Sequence, residues 1–427
     1  MACTALVLAA QNYTSYFTGN QNDLVTQAQG GVCLMGGATE DDNAMRWFLE
    51  RANGGDVLVI RASGSDGYNS YLFSELGVNV NSVETIVFNN ANAASDEYVL
   101  DRIRKAEAIW IAGGNQANYV NYWRNNAVAN EINLGLGDRN IVIGGTSAGM
   151  AILGSSYFSA ANGTINSSSA LGNPYSPQMT VEHAPFIDVP YLENVITDTH
   201  YDNPDRRGRH MVFLARAMTD TGETFRGIAC DEYTAVCIDE NGIASIYGIY
   251  PDFDDNAYFL VPNCGLPDNS PENCTNGQAL TWDRNGTAVK VFAVKGTPTG
   301  LYSIDLNNWT TSDGGEWQDW SVDAGSFTAV PGDDPDCVVS SLLASADESA
   351  TFNIYPNPNN GDVVHIEIIN PLAGAEVRVL DMHGRELQPW TSLGPRSELD
   401  ISRLPAGTYF LEYRGRNERS TRRLLVR

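Results

Sequence analysis

Short, unbroken apolar runs alternate with amphipathic stretches over the first 160 residues, and this alternation restricts the possible folds most strongly. A run at residues 31–37 precedes a helical pattern over residues 41–52, in which Met45, Phe48 and Leu49 recur at helical spacing. Further apolar runs lie at residues 56–60, 83–88, 108–112 and 141–143. Continuous apolar strands joined by helices are typical of parallel sheets covered on both faces. We therefore predict an α/β fold, doubly wound around a mostly parallel sheet.

The residue composition of the chain changes at two further points. After Asn241, short strands and turn residues dominate, and we expect them to extend the sheet or form an antiparallel edge. Residues 331–351 are rich in Pro, Asp, Ser and Ala, which predicts a linker between a main domain at 30–330 and a small domain at 352–427. The small domain holds ten arginines and nine acidic residues, and its short strands predict a β-sandwich. Residues 1–29 are read as an N-terminal segment whose apolar start is a signal-peptide remnant or simply the first residues.

Charge and cysteine content limit the function classes. The formal net charge of −26, from 26 basic and 52 acidic residues, argues against nucleic-acid binding and against an anionic membrane surface. A solvated acidic surface and attraction of cationic material both remain open. No apolar run approaches the length of a membrane helix. Of seven cysteines, Cys264 and Cys274 bracket a short loop that suits a local disulfide, and Cys33 is expected to be a buried thiol.

Residues 145–149 read Gly-Thr-Ser-Ala-Gly and carry the strongest chemical signal. They follow the apolar strand at 141–144 and precede a helical stretch, which is the context that a nucleophilic serine motif requires. Ser147 is the predicted nucleophile, and the amide of Ala148 is a predicted oxyanion donor. The alternative is a small-residue turn that packs a strand against a helix.

A second glycine turn follows the preceding strand. In residues 110–116 the amides of Gly113 and Gly114 are placed to complete an oxyanion hole, and Gln116 is placed to touch substrate. A Gly-Gly turn alone is weak evidence, so this assignment depends on the turn lying close to Ser147 in the fold.

A serine nucleophile needs a general base. His200 ends an apolar, strand-like run and is the preferred base, against a purely structural histidine at a strand end. His183 resembles a loop residue, and His210 opens a helical stretch as an ordinary surface histidine. The remaining histidines, His365 and His383, lie in the small domain.

The acid that orients the base is expected in the break between two strands. Asp231 and Glu232 follow the apolar residues 227–230 and precede the apolar residues 233–238. We choose Glu232, with Asp231 as runner-up and a solvated turn as the structural alternative.

Residues 30–250 resemble the serine peptidases that include cyanophycinase and aspartyl dipeptidase E. Five segments carry the resemblance, in the family's order: residues 113–116 (Gly-Gly-Asn-Gln), 145–149 (Gly-Thr-Ser-Ala-Gly), 198–201 (Asp-Thr-His-Tyr), 206–209 (Arg-Arg-Gly-Arg) and 231–235 (Asp-Glu-Tyr-Thr-Ala). The resemblance implies a triad of Ser147, His200 and Glu232. It also implies a glutamine-amidotransferase-like α/β fold, no metal or other cofactor, and a homodimer.

Cyanophycinases cleave a polyaspartate that bears an arginine on each side chain, and release β-Asp-Arg. By the same resemblance, the substrate contacts are Gln116, Asp198, Thr199, Arg206 and Arg209. Two positions depart from the family: Thr199 replaces a glutamine, and Pro204 stands where the first of three arginines is expected. The remaining arginines suit recognition of a carboxylate by paired hydrogen bonds. A solvated basic run is the alternative for them.

Residues 352–427 resemble the C-terminal sorting domain of the Bacteroidetes type IX secretion system. The segments are 354–358 (Ile-Tyr-Pro-Asn-Pro), 379–384 (Val-Leu-Asp-Met-His-Gly) and 404–411 (Leu-Pro-Ala-Gly-Thr-Tyr-Phe-Leu), with a basic end. This resemblance implies a partner in the secretion machinery and a secreted or cell-surface protein.

The sequence therefore predicts a secreted serine hydrolase that acts on cyanophycin. Two rival hypotheses remain: a dipeptidase for aspartyl or isoaspartyl peptides, and a surface-binding protein on a catalytically dead hydrolase scaffold. A calcium site at Asp252, Asp254 and Asp255 is disfavoured, because the run lacks the spacing and the glycine of a calcium loop.

Overall fold

The structure is a computed structural model, and it describes residues 11–337, 352–357, 359, 361, 363–368, 376–381, 385–394, 396–405, 407–414 and 419–426. The apolar start of the chain at residues 3–10 and the linker from 338 to 351 lie outside the described residues. Contacts divide the chain into two compact units, Met1–Val339 and Ser340–Arg427.

The first unit contains eighteen strands among its described residues. They are β1 Tyr13–Gly19, β2 Val32–Met35, β3 Asp56–Arg61, β4 Ser82–Phe88, β5 Ala108–Ile111, β6 Val142–Thr146, β7 Tyr157–Phe158, β8 Val181–Glu182, β9 Val195–Asp198, β10 Arg226–Cys230, β11 Ala235–Ile238, β12 Ile243–Tyr247, β13 Asn256–Pro262, β14 Val289–Lys295, β15 Ser303–Asp305, β16 Ser312–Asp313, β17 Gly315–Asp323 and β18 Ser326–Pro331.

Eight α-helices lie within the same described residues. They are α1 Asp42–Arg51, α2 Gly67–Ser70, α3 Glu97–Lys105, α4 Gln116–Trp123, α5 Ala127–Asp138, α6 Ala148–Ala151, α7 Ser167–Gly172 and α8 Arg207–Thr221. A π-helical turn at Tyr71–Glu75 continues α2, and short 3-10 turns lie at Ala91–Ser95 and Arg284–Gly286.

The main sheet has ten strands in the order β1-β4-β3-β5-β6-β2-β11-β12-β15-β16. The five strands from β4 to β2 are parallel, and the strands outside them pair antiparallel. Successive residues of β5 face opposite sides: Ile109 and Ile111 pack in the core with α3, α4 and α5, whereas Ala108 and Trp110 pack against α1. The predicted doubly wound α/β fold is confirmed. Its parallel strands are continuously apolar because helices cover both faces of the sheet.

A second, six-stranded sheet has the order β18-β17-β14-β13-β10-β9. Only β9 and β10 are parallel in it, and α8 packs on it through a separate core that includes Met211, Phe213 and Trp320. The strands after Asn241 were expected to extend the sheet or form an antiparallel edge, and β12, β15 and β16 lie antiparallel at one edge of the main sheet. The strands β13, β14, β17 and β18 instead complete the second sheet.

The N-terminal boundary and the disulfide differ from the sequence expectation. Strand β1 pairs antiparallel with β4, so part of the predicted N-terminal segment 1–29 lies in the main sheet. The predicted local disulfide was wrong: Cys264 bonds to Cys337, 73 residues away, and Cys274 is a buried free thiol. Cys33 is buried and free, as predicted.

The C-terminal unit has seven strands among its described residues. They are β19 Phe352–Tyr355, β20 Val363–Ile368, β21 Glu376–Leu380, β22 Glu386–Ser392, β23 Arg396–Asp400, β24 Gly407–Arg414 and β25 Arg419–Val426. They form two antiparallel sheets, β19-β20-β23 and β22-β21-β24-β25. Val364 and Ile366 of one sheet share a core with Val377 and Leu411 of the other, which is the arrangement of a β-sandwich.

Candidate active site

Ser147 lies at the carboxyl end of β6, in the turn that leads directly into α6. Its backbone has φ 52° and ψ −116°, a strained conformation for a residue with a side chain. The N–H of Ser147 donates to the carbonyl oxygen of Met35 at 3.1 Å and holds the turn against β2. A Cβ at Gly149 would lie 2.0 Å from the carbonyl oxygen of Ile111, so only glycine allows this close approach to β5.

His200 follows β9 of the second sheet and reaches Ser147 across the gap between the sheets. Its Nε2 lies 2.8 Å from the Oγ of Ser147, and its Nδ1 lies 2.5 Å from Oε1 of Glu232. An Nδ1–H that donates to the carboxylate leaves Nε2 as the acceptor for the serine hydroxyl. The three predicted triad side chains therefore form one continuous hydrogen-bonded chain, with the geometry that activates a serine.

Glu232 lies where the chain crosses from β10 in the second sheet to β11 in the main sheet. Its side chain is 19% exposed and that of His200 is 25% exposed, so solvent and substrate can reach the pair. The runner-up acid, Asp231, points elsewhere: its Oδ2 accepts the N–H of Asn256 at 2.9 Å, and its side chain is buried. Among described residues, Glu232 is the carboxylate that contacts His200.

Two of the predicted oxyanion donors, Ala148 and Gly113, adjoin Ser147, and Gly114 follows Gly113 in the same turn. Ala148 begins α6, where the first amides of a helix have no intrahelical acceptor. A Cβ at Gly113 would lie 3.5 Å from the Cβ of Ser147, which places this turn beside the nucleophile. Within residues 11–337, the N–H groups of Gly113, Gly114 and Ala148 donate to no protein acceptor. These amides are therefore free to bind a negatively charged oxygen.

Asp198 and Arg209 were predicted as substrate contacts, but the structure pairs them with each other. Nε of Arg209 donates to Oδ2 of Asp198 at 2.8 Å and Nη2 to Oδ1 at 2.5 Å, with side chains only 4% and 3% exposed. Burial alone would raise the pKa of Asp198, but Arg209 holds it below its ordinary value. The two charges satisfy each other, so neither is free to bind a substrate here. The ion pair instead fixes the strand end that carries His200.

The other predicted substrate contacts have different surroundings. The Thr199 side chain is buried, and its carbonyl oxygen accepts Nη1 of Arg206 at 2.9 Å. Arg206 is half-buried, and burial lowers its pKa. Gln116 is half-buried and donates Nε2 to the carbonyl oxygen of Phe158 at 3.0 Å. Of the two predicted carboxylate-binding arginines, Arg209 is held in an ion pair, whereas Arg206 forms none with the described residues.

Neither of the other two histidines of the first unit reaches Ser147. The prediction of His210 as a surface residue was wrong: it is fully buried, its ring contacts the Tyr201 hydroxyl at 3.1 Å, and burial lowers its pKa to about 4. His183 bonds Ser156 at 2.8 Å, a serine with no exposed surface. That second Ser–His contact is therefore closed to substrate.

The sequence analysis missed the role of Gly36 and Gly37, which follow β2. The carbonyl oxygen of Gly36 accepts the N–H of His200 at 2.9 Å, and the carbonyl oxygen of Gly37 accepts the N–H of Tyr233 at 3.2 Å. A Cβ at Gly37, whose φ is +123°, would lie 2.4 Å from both Cε1 and Nε2 of His200. The imidazole therefore packs directly on bare backbone. The only sequence signal was a Gly-Gly pair at the carboxyl end of a buried strand.

Two negative observations hold for the part of the chain that the structure describes. It contains no cluster of three or more His, Cys, Asp or Glu side chains arranged to hold a metal ion. It also contains no helix that is long and apolar enough to cross a membrane.

Comparison with known proteins gives two family matches. Residues 65–246 match the model of peptidase family S51, and residues 353–427 match that of the secretion system C-terminal sorting domain. No curated protein sequence matches. Among solved structures, a peptidase from an acI-B1 Actinobacterium is 15% identical, with a TM-score of 0.41, over 56% of this chain and 93% of that one. A protein assigned as a peptidase E from Listeria monocytogenes EGD-e is also 15% identical, with a TM-score of 0.32, over 52% of this chain and 100% of that one.

Proposed function

We propose that this exported peptidase, with its family S51 match at residues 65–246 and its secretion sorting domain, is a serine hydrolase of aspartyl peptide bonds. The observation that carries the proposal is the chain of contacts from Ser147 through His200 to Glu232, at 2.8 and 2.5 Å. Its proposed substrate is cyanophycin, which it would cut to β-Asp-Arg dipeptides.

The proposed reaction is acyl transfer to water. The Oγ of Ser147 attacks the scissile carbonyl carbon while Nε2 of His200 takes its proton, and Glu232 stabilises the resulting imidazolium. The free amides of Gly113, Gly114 and Ala148 receive the negative charge of the tetrahedral oxygen. His200 then protonates the leaving amine, and a water molecule, deprotonated by His200, releases the aspartyl acyl group from Ser147.

The substrate class rests on charge. Arg206 keeps donors for a substrate carboxylate, which suits an aspartyl or arginyl carboxylate near the scissile bond. Arg209 supports the site indirectly, through its ion pair with Asp198. Residues 113–116, 145–149 and 198–201 resemble the whole family, which includes dipeptidases, and Thr199 and Pro204 depart from the cyanophycinase pattern, so an aspartyl or isoaspartyl dipeptide is the alternative substrate.

Release of β-Asp-Arg from insoluble cyanophycin tests the proposal, with Ser147→Ala as the matched variant. Release that disappears in Ser147→Ala supports both nucleophile and substrate. Activity on Asp-Xaa or isoaspartyl dipeptides without release from the polymer would favour the dipeptidase alternative. Equal release by both proteins would refute the Ser147 mechanism, and no hydrolysis of any of these substrates would favour the binding-protein alternative.

A further inference from the structure

Three carboxylates lie near Glu232, and we name Asp202, Asp231 and Asp255 the acidic rim. Oδ1 of Asp202 accepts the N–H of Glu232 at 3.1 Å. Oδ2 of Asp231 accepts the N–H of Asn256 at 2.9 Å, which places Asp255, the preceding residue, at the same corner. The rim thus adjoins the triad, because Asp202 contacts the backbone N–H of Glu232 and Asp231 directly precedes Glu232 in the chain.

The rim contains a buried carboxylate oxygen without a partner. Asp231 is only 3% exposed, yet its Oδ1 has no hydrogen-bond partner among the described residues. Burial raises the pKa of Asp231 to about 7, and the negative charges of Asp202 and Asp255 add to the shift. An isolated protein seldom leaves such an oxygen unsatisfied, and a cationic donor would satisfy it.

Among the described residues, neither of the two nearby cations forms an ion pair with a rim carboxylate. Nζ of Lys295 lies 2.7 Å from Oδ1 of Asp254, a carboxylate outside the rim. Nη1 of Arg206 donates to the carbonyl oxygen of Thr199, although its charge also acts on Asp202 and Glu232. The three rim carboxylates therefore outnumber the cations that act on them.

Two exposed aromatic rings lie next to the rim. Tyr233 follows Glu232 directly and is 41% exposed, and Phe253 is 53% exposed. Their ring centroids are 6.1 Å apart with an interplanar angle of 31°. Exposed aromatic faces combined with carboxylates are the surroundings that a guanidinium group prefers, because it stacks on rings and donates up to five hydrogen bonds.

We propose that the acidic rim, together with Tyr233 and Phe253, is a subsite that binds a guanidinium side chain of the substrate beside the scissile bond. The proposal deepens the proposed function and rests on it for the placement of the scissile bond. An arginine attached through its α-amino group carries a free carboxylate and a guanidinium. Arg206 suits the carboxylate and the acidic rim suits the guanidinium, so one arginine branch of the polymer would bind both.

Binding to the Ser147→Ala protein tests the subsite without any turnover. The probes are Nα-acetyl-L-arginine and Nα-acetyl-L-citrulline, which share shape and carboxylate but differ in the charge of the side-chain head group. Titration calorimetry or NMR should give about threefold to fivefold tighter binding of acetylarginine, the upper range of one partly exposed ion pair. Added salt should reduce this preference.

Variants then locate the preference. Asp202→Asn keeps an oxygen for the N–H of Glu232, and in the Ser147→Ala background it should reduce the preference for acetylarginine about threefold or more, as should Asp255→Asn and Phe253→Ala. Asp138→Asn is the charge-matched control. Asp138 ends α5 and precedes the amino end of β6, whereas Ser147 lies at the carboxyl end of that strand. The control should leave the preference unchanged.

Three outcomes would overturn the subsite: equal binding of the two probes, a preference that survives Asp202→Asn, Asp255→Asn and Phe253→Ala alike, or no binding of acetylarginine at concentrations on the order of 10 mM. The failure of the proposed function has a different signature. A wild-type protein that releases nothing from cyanophycin, while the Ser147→Ala protein still prefers acetylarginine, would remove the reaction and leave the subsite standing.

Discussion

The contact between Gly37 and the His200 ring predicts that a single added methyl group slows the reaction about 100-fold. In Gly37→Ala the new Cβ would lie 2.4 Å from Cε1 and Nε2 of His200. Ordinary carbon contacts need about 3.5 Å, so the ring must move by about 1 Å. The same motion disturbs the 2.8 Å contact between Nε2 and the Oγ of Ser147.

The size of the effect follows from that displacement. A misplacement of about 1 Å in a reacting group costs about 10²-fold in rate, which corresponds to about 2.7 kcal/mol in the barrier. The loss should appear in kcat, with KM nearly unchanged, because the ring serves proton transfer rather than substrate binding. Alanine at φ +123° also costs about 1–2 kcal/mol of stability, so backbone strain needs its own control.

Gly163→Ala is the matched control. Gly163 has φ +86°, and a Cβ there would meet nothing within 4 Å. Both variants carry the strain of a positive φ, but only Gly37→Ala presses on His200. Steady-state kinetics on an aspartyl peptide substrate, with thermal melts of each protein, separate the two effects. Gly37→Ala with kcat within about threefold of the wild type, or equal kcat losses in both variants, would refute the reasoning.

Three further predictions follow from buried groups. Asp198→Asn leaves Arg209 buried and unpaired, and should cost about 3–5 kcal/mol of unfolding free energy in denaturant titrations; a loss below about 1 kcal/mol would contradict the ion pair's role. Joint replacement of Cys264 and Cys337 by Ser should cost about 2–4 kcal/mol and spare kcat, and a melting temperature equal to that of the wild type would contradict it. Burial raises the pKa of Glu107 to about 7, so stability falls as pH rises from about 4 through about 7. Glu107→Gln should flatten that fall in melts across pH, and an unchanged slope would count against it.

The local parts of the fold could be predicted from sequence because their signals are local. Strands β3 and β5 are continuous apolar runs, and burial on both faces requires such runs. Ser147 was placed by its strand–turn–helix context, and His200 and Glu232 by their positions at strand ends. The contacts among these three side chains agree with the predicted triad.

The parts that were missed depend on pairing between distant segments. The second sheet joins β9 and β10 to β13 and β14, and nothing in the residues of β13 specifies that partner. The Cys264–Cys337 bond spans 73 residues, whereas the short loop to Cys274 favoured a local pair. The contact of Gly37 with the His200 ring is visible only when both segments are placed in space.

Reaction with a fluorophosphonate tests the central claim, a serine activated by His200, most directly. Peptide mass spectrometry should find one adduct, on Ser147, because a base-activated serine attacks phosphorus and displaces fluoride. The rate should fall at least about 100-fold in His200→Ala, since general-base catalysis contributes 10² or more. An unmodified Ser147 in a folded protein, or labelling at the same rate in His200→Ala, would contradict the account.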